Sequence, residues 1–573
     1  MIVGLLAMGV ANAAALLGAG AILRQIRTGR TPVDLVLFLT VRLGILSTAV
    51  LAAGLGSFLT PLGLGGAGLA ALIVLVVRGA HRGWRVPAEL PWGQIWSIVA
   101  VLLVLRLLVQ TWIFAPYVVD ALSYHLPKIA EWVRAGAFTR ELGVDPRSSF
   151  PAGFELVETW WVVFLHHDVL IELGGVEFLL LAGASVYALA CELGWSVRAG
   201  RMAALLFTLS PGMYFQSISC VNDGAVAALV TATTLFLVAR MPLGLTLLPV
   251  ALGLGVKPTF LFALPGLGVL ALLLRTPREP RPAAPRMVPV LTIVAFLVGG
   301  SWYLRNAVLF HNPLYPMGLG GMKSPVSGAT LQRFGPSLQA FLENLRSFLD
   351  IRIYDRQMPP DALGTGNFNW GAAAFALGMP ALAIVLRTEA VLRRIAIGFT
   401  VSLGVVFALV ELDLWFPRFV LFFIALPSLA LARLAERHRY AAVLGSLALA
   451  LQVFATFVPG MMPEGAPAAL ARQGWRDRAA LPLGGEGPVA FCCDDFGISY
   501  PLYGPAYARP VIYVRDRSTD ELLEHLDREG VKTVVVFGPM RNQGAALEEA
   551  RRRGRLRPWR RNSWSGYEVL PRT

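Results

Sequence analysis

The chain has 573 residues, of which 56% are hydrophobic and 15% are charged, and its mean hydropathy is +0.61. This composition excludes an ordinary soluble globular protein, because apolar windows of about 20 residues recur that are long enough to cross a bilayer core. The net charge of +14 comes largely from arginine clusters in short loops between these windows. That distribution is the positive-inside pattern of membrane proteins and argues against nucleic-acid binding. The sequence predicts an α-helical polytopic membrane protein.

The chain divides into three predicted regions. Residues 1–114 hold the first spans, and residues 115–459 hold the rest of about 14 spans together with long outer loops. Residues 460–573 have a different composition, in which short apolar runs alternate with helical patterns. A small soluble α/β domain is predicted there. Its predicted elements are strands at Pro488–Cys493, Pro510–Val514 and Thr533–Phe537, a helix opened by a capping box at Ser518–Glu521, and a helix near Gln543–Arg553.

Charged residues inside apolar segments constrain the path of the chain. Arg42 and Arg106 fall near the middle of predicted spans, where a charge is costly in lipid, so they must face protein or water. The segment Ala152–Leu165 is short and contains Glu155 and Glu158. We therefore predict an interfacial helix there, which also keeps the next arginine-rich loop on the inner side.

Asp120 is the strongest catalytic candidate, because it follows an apolar span directly and opens a polar stretch. A carboxylate at the bilayer edge can accept the proton of an attacking hydroxyl if its surroundings set its pKa. The alternative is a helix-end acid in water. Tyr124 and His125 follow it and could orient a substrate or anchor the chain at the interface, and Lys128 lies in the same stretch.

A second set of candidates lies at the predicted outer ends of later spans. Asp223 comes to the same face as Asp120, where it is either a site residue or a helix cap. Lys257, Arg305 and Arg418 break the positive-inside rule at that face. Together they predict a phosphate clamp, and the alternative for each alone is a side chain extended towards lipid headgroups. The four cysteines have no metal-site spacing, so a metal site stays unknown.

Several motifs occur in an order that resembles bacterial membrane glycosyltransferases with the GT-C fold, relatives of the protein mannosyltransferases and lipid A aminoarabinose transferases. They are Asp120-Ala-Leu-Ser-Tyr-His-Leu-Pro-Lys-Ile-Ala-Glu-Trp132, Phe150-Pro-Ala-Gly-Phe-Glu155, Val221-Asn-Asp-Gly224, Gly255-Val-Lys-Pro-Thr259, Trp302-Tyr-Leu-Arg-Asn306, Asn312-Pro-Leu-Tyr-Pro316 and Tyr500-Pro-Leu-Tyr-Gly504. The predicted spans before Asp120 exceed what that family usually has there, and no clear counterpart of the metal-binding residues of some relatives occurs.

The resemblance implies an enzyme of the bacterial inner membrane with its site and terminal domain on the periplasmic side. It would move a sugar, with inversion, from a polyprenyl-phosphate donor to a glycan, lipid or protein acceptor. Asp120 would be the general base and Asp223 the second acidic residue, and a divalent cation is left open. The expected substrate-binding residues are Tyr124, His125, Lys128, Lys257, Arg305, Asn306 and Arg418. The alternative is a lipid or glycan transporter or flippase. This sequence shows no repeated halves of the kind found in many transporters, which argues against that alternative.

Overall fold

The fold is taken from a computed structural model. The structure describes residues 2–82, 94–113, 116, 118–140, 142–143, 145–275, 285–317, 338–349, 374–409, 416–457, 487–494, 497–514, 517–538, 540, 543–561 and 564–571.

Helices make up most of the described chain before residue 458. In chain order they are α1 Ile2–Ile26, α2 Thr31–Leu55, α3 Pro61–Val77, α4 Gln94–Ile113, α5 Leu126–Ala135, α6 Gly153–Val162, α7 Leu173–Glu192, α8 Val197–Thr208, α9 Pro211–Ser217, α10 Asp223–Val238, α11 Leu243–Val256, α12 Leu264–Leu273, α13 Val288–Phe310, α14 Leu338–Leu349, α15 Met379–Val385, α16 Ala390–Leu409, α17 Ala425–Arg437 and α18 Arg439–Phe457.

Six helical segments within the described residues are long and apolar enough to cross a membrane. They are Ile2–Ile26, Thr31–Leu55, Asp168–Glu192, Val288–Phe310, Ala390–Leu409 and Arg418–Arg437. Shorter apolar helices account for further predicted spans, and some of these are interrupted. The apolar stretch from Met202 to Ser219, long enough for one span, is divided between α8 and α9, because Pro211 at the start of α9 has no backbone N–H to continue the helix.

The two arginines predicted to face protein do so. Arg42 forms an ion pair with Glu177, with 2.9 Å between Nη2 and Oε1, and donates to Asn12. Arg106 donates through Nε to the carbonyl of Thr456 at 2.9 Å, and through Nη1 to Gln110. Both guanidinium groups therefore have polar partners inside the helix bundle, as expected for charged side chains within apolar helices.

The candidate site lies where α5, α6, α10 and α11 meet. One turn of π-helix, Ala121–His125, precedes α5, and such turns are frequent at functional sites. The helix predicted as interfacial is α6, and it packs closely on the end of α11. A Cβ at Gly153 would come within 2.8 Å of the Gly255 backbone, so the glycines of two sequence motifs allow this contact. Every residue of α10 from Asp223 to Leu237 is buried, which places this helix at the centre of the bundle.

The C-terminal residues form the predicted α/β domain. Its strands are β1 Val489–Cys492, β2 Val511–Val514, β3 Thr533–Val536, β4 Leu556–Arg561 and β5 Trp564–Val569, and its helices are α19 Thr519–Arg528 and α20 Gly544–Arg552. The sheet order is β2-β1-β3-β5-β4, with the first three strands parallel and the last two antiparallel. The capping box at Ser518 is present. The β4–β5 hairpin was not predicted, because the basic sequence of β4 has no apolar alternation.

The terminal domain docks on the helical region through its tyrosines. Tyr500, Tyr503 and Tyr507 are buried, and the segment that carries them contacts α5. The hydroxyl of Tyr500 donates to Oδ2 of Asp168 at 3.0 Å. The domain therefore covers the same end of the helices as the loop that follows Asp120.

Candidate active site

Asp120 is held between two arginines from distant parts of the chain. Its Oδ1 accepts from Nη1 of Arg147 at 3.2 Å, and its Oδ2 accepts from Nη1 of Arg418 at 2.9 Å. The three side chains are each 15–16% exposed. Asp120 is therefore a partly accessible carboxylate with both oxygens engaged, and it is not a helix-end acid facing only water.

Asp223, at the start of α10, lies close to Asp120 and forms ion pairs of its own. Its Oδ1 accepts from Nζ of Lys257 at 2.6 Å, and its Oδ2 lies 3.7 Å from Nε of Arg418. Arg418 thus joins the two acids that sequence reasoning had placed at one face. We call Asp120, Asp223, Arg147, Lys257 and Arg418 the Asp120 cluster.

The surroundings of Asp120 set its protonation state. Burial by itself would raise the pKa of this carboxyl, but the positive charges of Arg418 and Arg147 outweigh burial and hold the pKa well below its usual range. Asp120 is therefore ionised at all ordinary pH values. A carboxylate this strongly paired is a weak base until one of its cations is drawn away.

Arg147 is a residue that the sequence analysis did not assign to the site. Its guanidinium contacts Asp120 and also Asp145, at 2.7 Å between Nη2 and Oδ2. It lies 4.7 Å from the ring centre of Tyr124, which is buried beside it. Asp145-Pro146-Arg147 is the signal that could have found it, because the Asp145 side chain caps this turn and orients the arginine.

His125 and Lys128, predicted to bind substrate, lie in a separate buried cluster. Nδ1 of His125 lies 3.0 Å from Oε1 of Glu155, and Nζ of Lys128 donates to the same oxygen at 2.6 Å. Their side chains are 2% and 0% exposed, and that of Glu155 is 1% exposed. We call these three residues the Glu155 cluster. The sequence indicates an interfacial helix at Glu155 and includes this residue in one family motif, but it does not assign Glu155 to the site.

Two glutamates one turn apart on α6 differ in charge state. Burial would raise the pKa of Glu155, but Lys128 and His125 lower it to about 2. Burial, together with the charge of Glu155, raises the pKa of Glu158 well above its ordinary value. Glu155 is thus a buried anion and Glu158 a buried neutral acid.

Arg305 and Asn306 are placed away from the Asp120 cluster. Nδ2 of Asn306 donates to the carbonyls of Ser149 and Tyr315, at 2.8 and 3.0 Å, and the residue is fully buried. Asn306 therefore fixes two loops. Arg305 donates through Nη2 to the carbonyl of Arg140 at 2.9 Å. Of the three cations predicted as a phosphate clamp, the structure brings together Lys257 and Arg418 and separates Arg305 from them.

A cavity of about 550 Å³ lies between the helical region and the terminal domain. Arg305 lines it, and so does Asp145, the partner of Arg147. Within the described ranges, no group of three or more His, Cys, Asp or Glu side chains is arranged to hold a metal ion.

Solved structures with a similar fold exist for ArnT from Cupriavidus metallidurans. The structure in the apo state matches with a TM-score of 0.54 at 13% sequence identity, covering 82% of this chain and 97% of ArnT. The structure bound to undecaprenyl phosphate matches with a TM-score of 0.53 and the same identity and coverage. No protein-family model and no curated protein sequence matches the chain. The GT-C fold predicted from the ordered motifs is confirmed by this structural similarity.

Proposed function

We propose that the protein is an integral membrane glycosyltransferase that moves a sugar from a polyprenyl-phosphate donor to an acceptor hydroxyl, with inversion. Asp120 takes the proton of the acceptor hydroxyl while its oxygen forms a bond to the anomeric carbon. The bond between that carbon and the phosphate oxygen breaks, and its electron pair leaves with the lipid phosphate. The atoms balance without a further reactant.

Lys257 and Arg418 receive the leaving phosphate in this proposal. Arg418 contacts both Asp120 and Asp223, so a phosphate that reaches its guanidinium competes with two carboxylates for one cation. When the phosphate takes part of that charge, Asp120 loses part of the field that lowers its pKa and becomes a stronger base. The donor thus prepares the base that its own transfer requires.

The single observation that carries this proposal is the convergence of Asp120, Asp223, Arg418 and Lys257 from four separate elements of the chain. Isolated surface ion pairs contribute little to stability, so a shared and partly accessible cluster suggests binding chemistry. The fold supports the same donor class, because a similar structure is that of ArnT bound to undecaprenyl phosphate.

The donor class is tested with purified protein and labelled sugars. Labelled polyprenyl-phosphate sugar and labelled nucleotide sugar are each supplied with glycan, lipid or protein acceptors. We expect transfer from the lipid-phosphate sugar alone. Transfer from the nucleotide sugar without a lipid carrier contradicts the proposal.

The alternative of a transporter or flippase predicts a different result in the same assay. In sealed vesicles it would move the labelled lipid across the bilayer and leave the sugar–phosphate bond intact. Recovery of the label only as unchanged donor on the opposite leaflet, with no product, would favour that alternative.

The proposal also places the Asp120 cluster and the terminal domain on the outer side of the bacterial inner membrane, as the arginine loops predict. Cysteine labelling tests this in a background that lacks the four native cysteines. We expect Arg557→Cys to react with an impermeant reagent added outside and Arg198→Cys to be protected. The reverse pattern contradicts the orientation.

A further inference from the structure

The cavity between the helical region and the terminal domain is large enough for a small ligand. Its volume of about 550 Å³ falls within the range of ordinary ligand sites. Residues 140, 142–143, 145–146 and 148–149 and the end of α13 form one wall, and β2 with α19 forms the other. A ligand there would contact both domains at once.

The acidic side chains that line the cavity are already paired with arginines. Each of the three has an arginine within ion-pair distance, as follows: Glu131 with Arg134 at 2.6 Å, Asp145 with Arg147 at 2.7 Å, and Glu529 with Arg528 at 3.5 Å. They therefore add little net negative charge to the cavity.

The arginines that line the cavity are not paired with carboxylates in this way. Arg140, Arg305 and Arg517 line the cavity, and none forms an ion pair with a carboxylate in the part of the chain that the structure describes. Arg305 donates to a backbone carbonyl and to Asn306, and the backbone of Arg517 is bonded to Gln543. Three guanidinium groups from both domains thus give the cavity an excess of positive charge, which favours an anion.

The cavity adjoins the Asp120 cluster through one ion pair. Asp145 lines the cavity and binds Arg147, whose other nitrogen contacts Asp120 at 3.2 Å. We propose that this cavity binds a phosphate-bearing part of the acceptor, with Arg140, Arg305 and Arg517 as its counter-ions. That this phosphate belongs to the acceptor rests on the proposed function. The anion site itself rests only on the charges of the cavity.

Binding of inorganic pyrophosphate to the purified full-length protein tests the site by calorimetry. We expect Arg140→Gln and Arg517→Gln each to weaken pyrophosphate binding roughly tenfold, because each removes a charge-assisted contact. Arg557→Gln is the matched control, since Arg557 is exposed and paired with Glu568 on the β4–β5 hairpin. It should bind pyrophosphate as the wild type does.

Lys257→Met removes a contact of the proposed donor-phosphate site, and Lys257 does not line the cavity. In the Lys257→Met background, pyrophosphate binding should persist and should fall when Arg140→Gln and Arg517→Gln are added. Pyrophosphate binding that is lost in Lys257→Met alone, or that is unchanged by the two added arginine substitutions, would overturn the proposal.

The source of the anionic group is decided by repeating the titration in nanodiscs. Pyrophosphate affinity that falls in phosphatidylglycerol relative to phosphatidylcholine identifies a lipid headgroup as the competitor. Equal affinity identifies a phosphate group that arrives from solution. Either result requires the same dependence on Arg140 and Arg517, and a result without it counts against the site.

The outcome is independent of the transfer assay. Arginine-dependent pyrophosphate binding without sugar transfer would contradict the proposed function and leave the anion site in place. Sugar transfer with arginine-independent pyrophosphate binding would contradict this site alone.

Discussion

Two carboxylates flank the π-helical turn Ala121–His125, and each is engaged by two nitrogen-bearing side chains. Asp120 has Arg147 and Arg418, and these side chains are 15–16% exposed. Glu155 has His125 and Lys128, and these are at most 2% exposed. A carboxylate paired with two nitrogen-bearing side chains is therefore accessible to a ligand in the Asp120 cluster and inaccessible in the Glu155 cluster. Solvent access, more than residue type, distinguishes the candidate catalytic cluster from the buried cluster beside it.

The difference explains how the two clusters can cooperate. The Glu155 cluster cannot exchange its partners for a substrate, so its ion pair fixes the start of α5 against α6. The Asp120 cluster is anchored on that segment, and in the proposed function its Arg418 exchanges a carboxylate partner for a phosphate. We infer that Glu155 is a positioning residue and Asp120 a catalytic one.

The largest expected effect is on stability, from removing the charge of Glu155. Glu155→Gln leaves the ammonium of Lys128 buried without its anion, which typically costs about 3–5 kcal/mol. Glu158→Gln is the matched control one turn away, and it should cost less than about 1 kcal/mol because that side chain is already neutral. Thermal unfolding in detergent compares the two.

The same experiment has a pH dependence with a definite sign. The pKa of Glu155 is lowered from 4.5 to about 2, so its stabilisation is present above pH 4.5 and is lost as the pH falls towards 2. The double variant Glu155→Gln/Lys128→Met should recover part of the lost stability. Equal destabilisation by Glu155→Gln and Glu158→Gln would break the distinction between the two glutamates.

The next effect is on donor binding. Lys257→Met should weaken donor affinity roughly tenfold or more, because a charge-assisted contact contributes about 1.5–3 kcal/mol. Lys257→Arg keeps the charge and should restore most of it. Lys532→Met, an exposed lysine of the terminal domain, is the control. If the Michaelis constant for the donor is the same in Lys257→Met and Lys532→Met, Lys257 does not bind the phosphate.

The smallest expected effect is a shift in the pH profile. Arg147 helps to hold the pKa of Asp120 down, so Arg147→Gln should raise that pKa. A general base works only when ionised, and kcat reports the donor complex, in which the phosphate draws charge away from Arg418, so the acid limb of kcat should lie at higher pH in Arg147→Gln than in the wild type. Arg134→Gln serves as the control, because Arg134 pairs with Glu131 on α5. An unmoved acid limb in Arg147→Gln would mean that another group controls it.

Part of this picture could be predicted from the sequence. Apolar windows and arginine loops predicted the helical region, and the ordered motifs predicted its fold. The alternation of spans and arginine loops predicted that Asp120 and Asp223 lie at the same face, and the structure brings them to one arginine, Arg418. The inverting step, the base and the orientation stay predictions.

The rest depends on contacts between distant segments. Nothing local in the sequence distinguishes Lys128 from Lys257, yet one is wholly buried against Glu155 and the other lies at the Asp120 cluster. Arg305 likewise shares a span-end position with Arg418 but faces the cavity between the domains. Spacing along the chain reports which face of a helix a residue is on, but not which neighbour covers that face.

The most direct test of the central claim is sugar transfer by Asp120→Asn from labelled polyprenyl-phosphate sugar. The amide keeps the size of the side chain and removes the base, so we expect turnover to fall by about 10²- to 10⁴-fold. The variant should still fold, as a cooperative thermal transition shows, and should bind donor at least as well as the wild type, because the neutral amide no longer competes for Arg418. A variant that folds, binds donor and keeps more than roughly a tenth of the wild-type rate would contradict the role of Asp120 as the base.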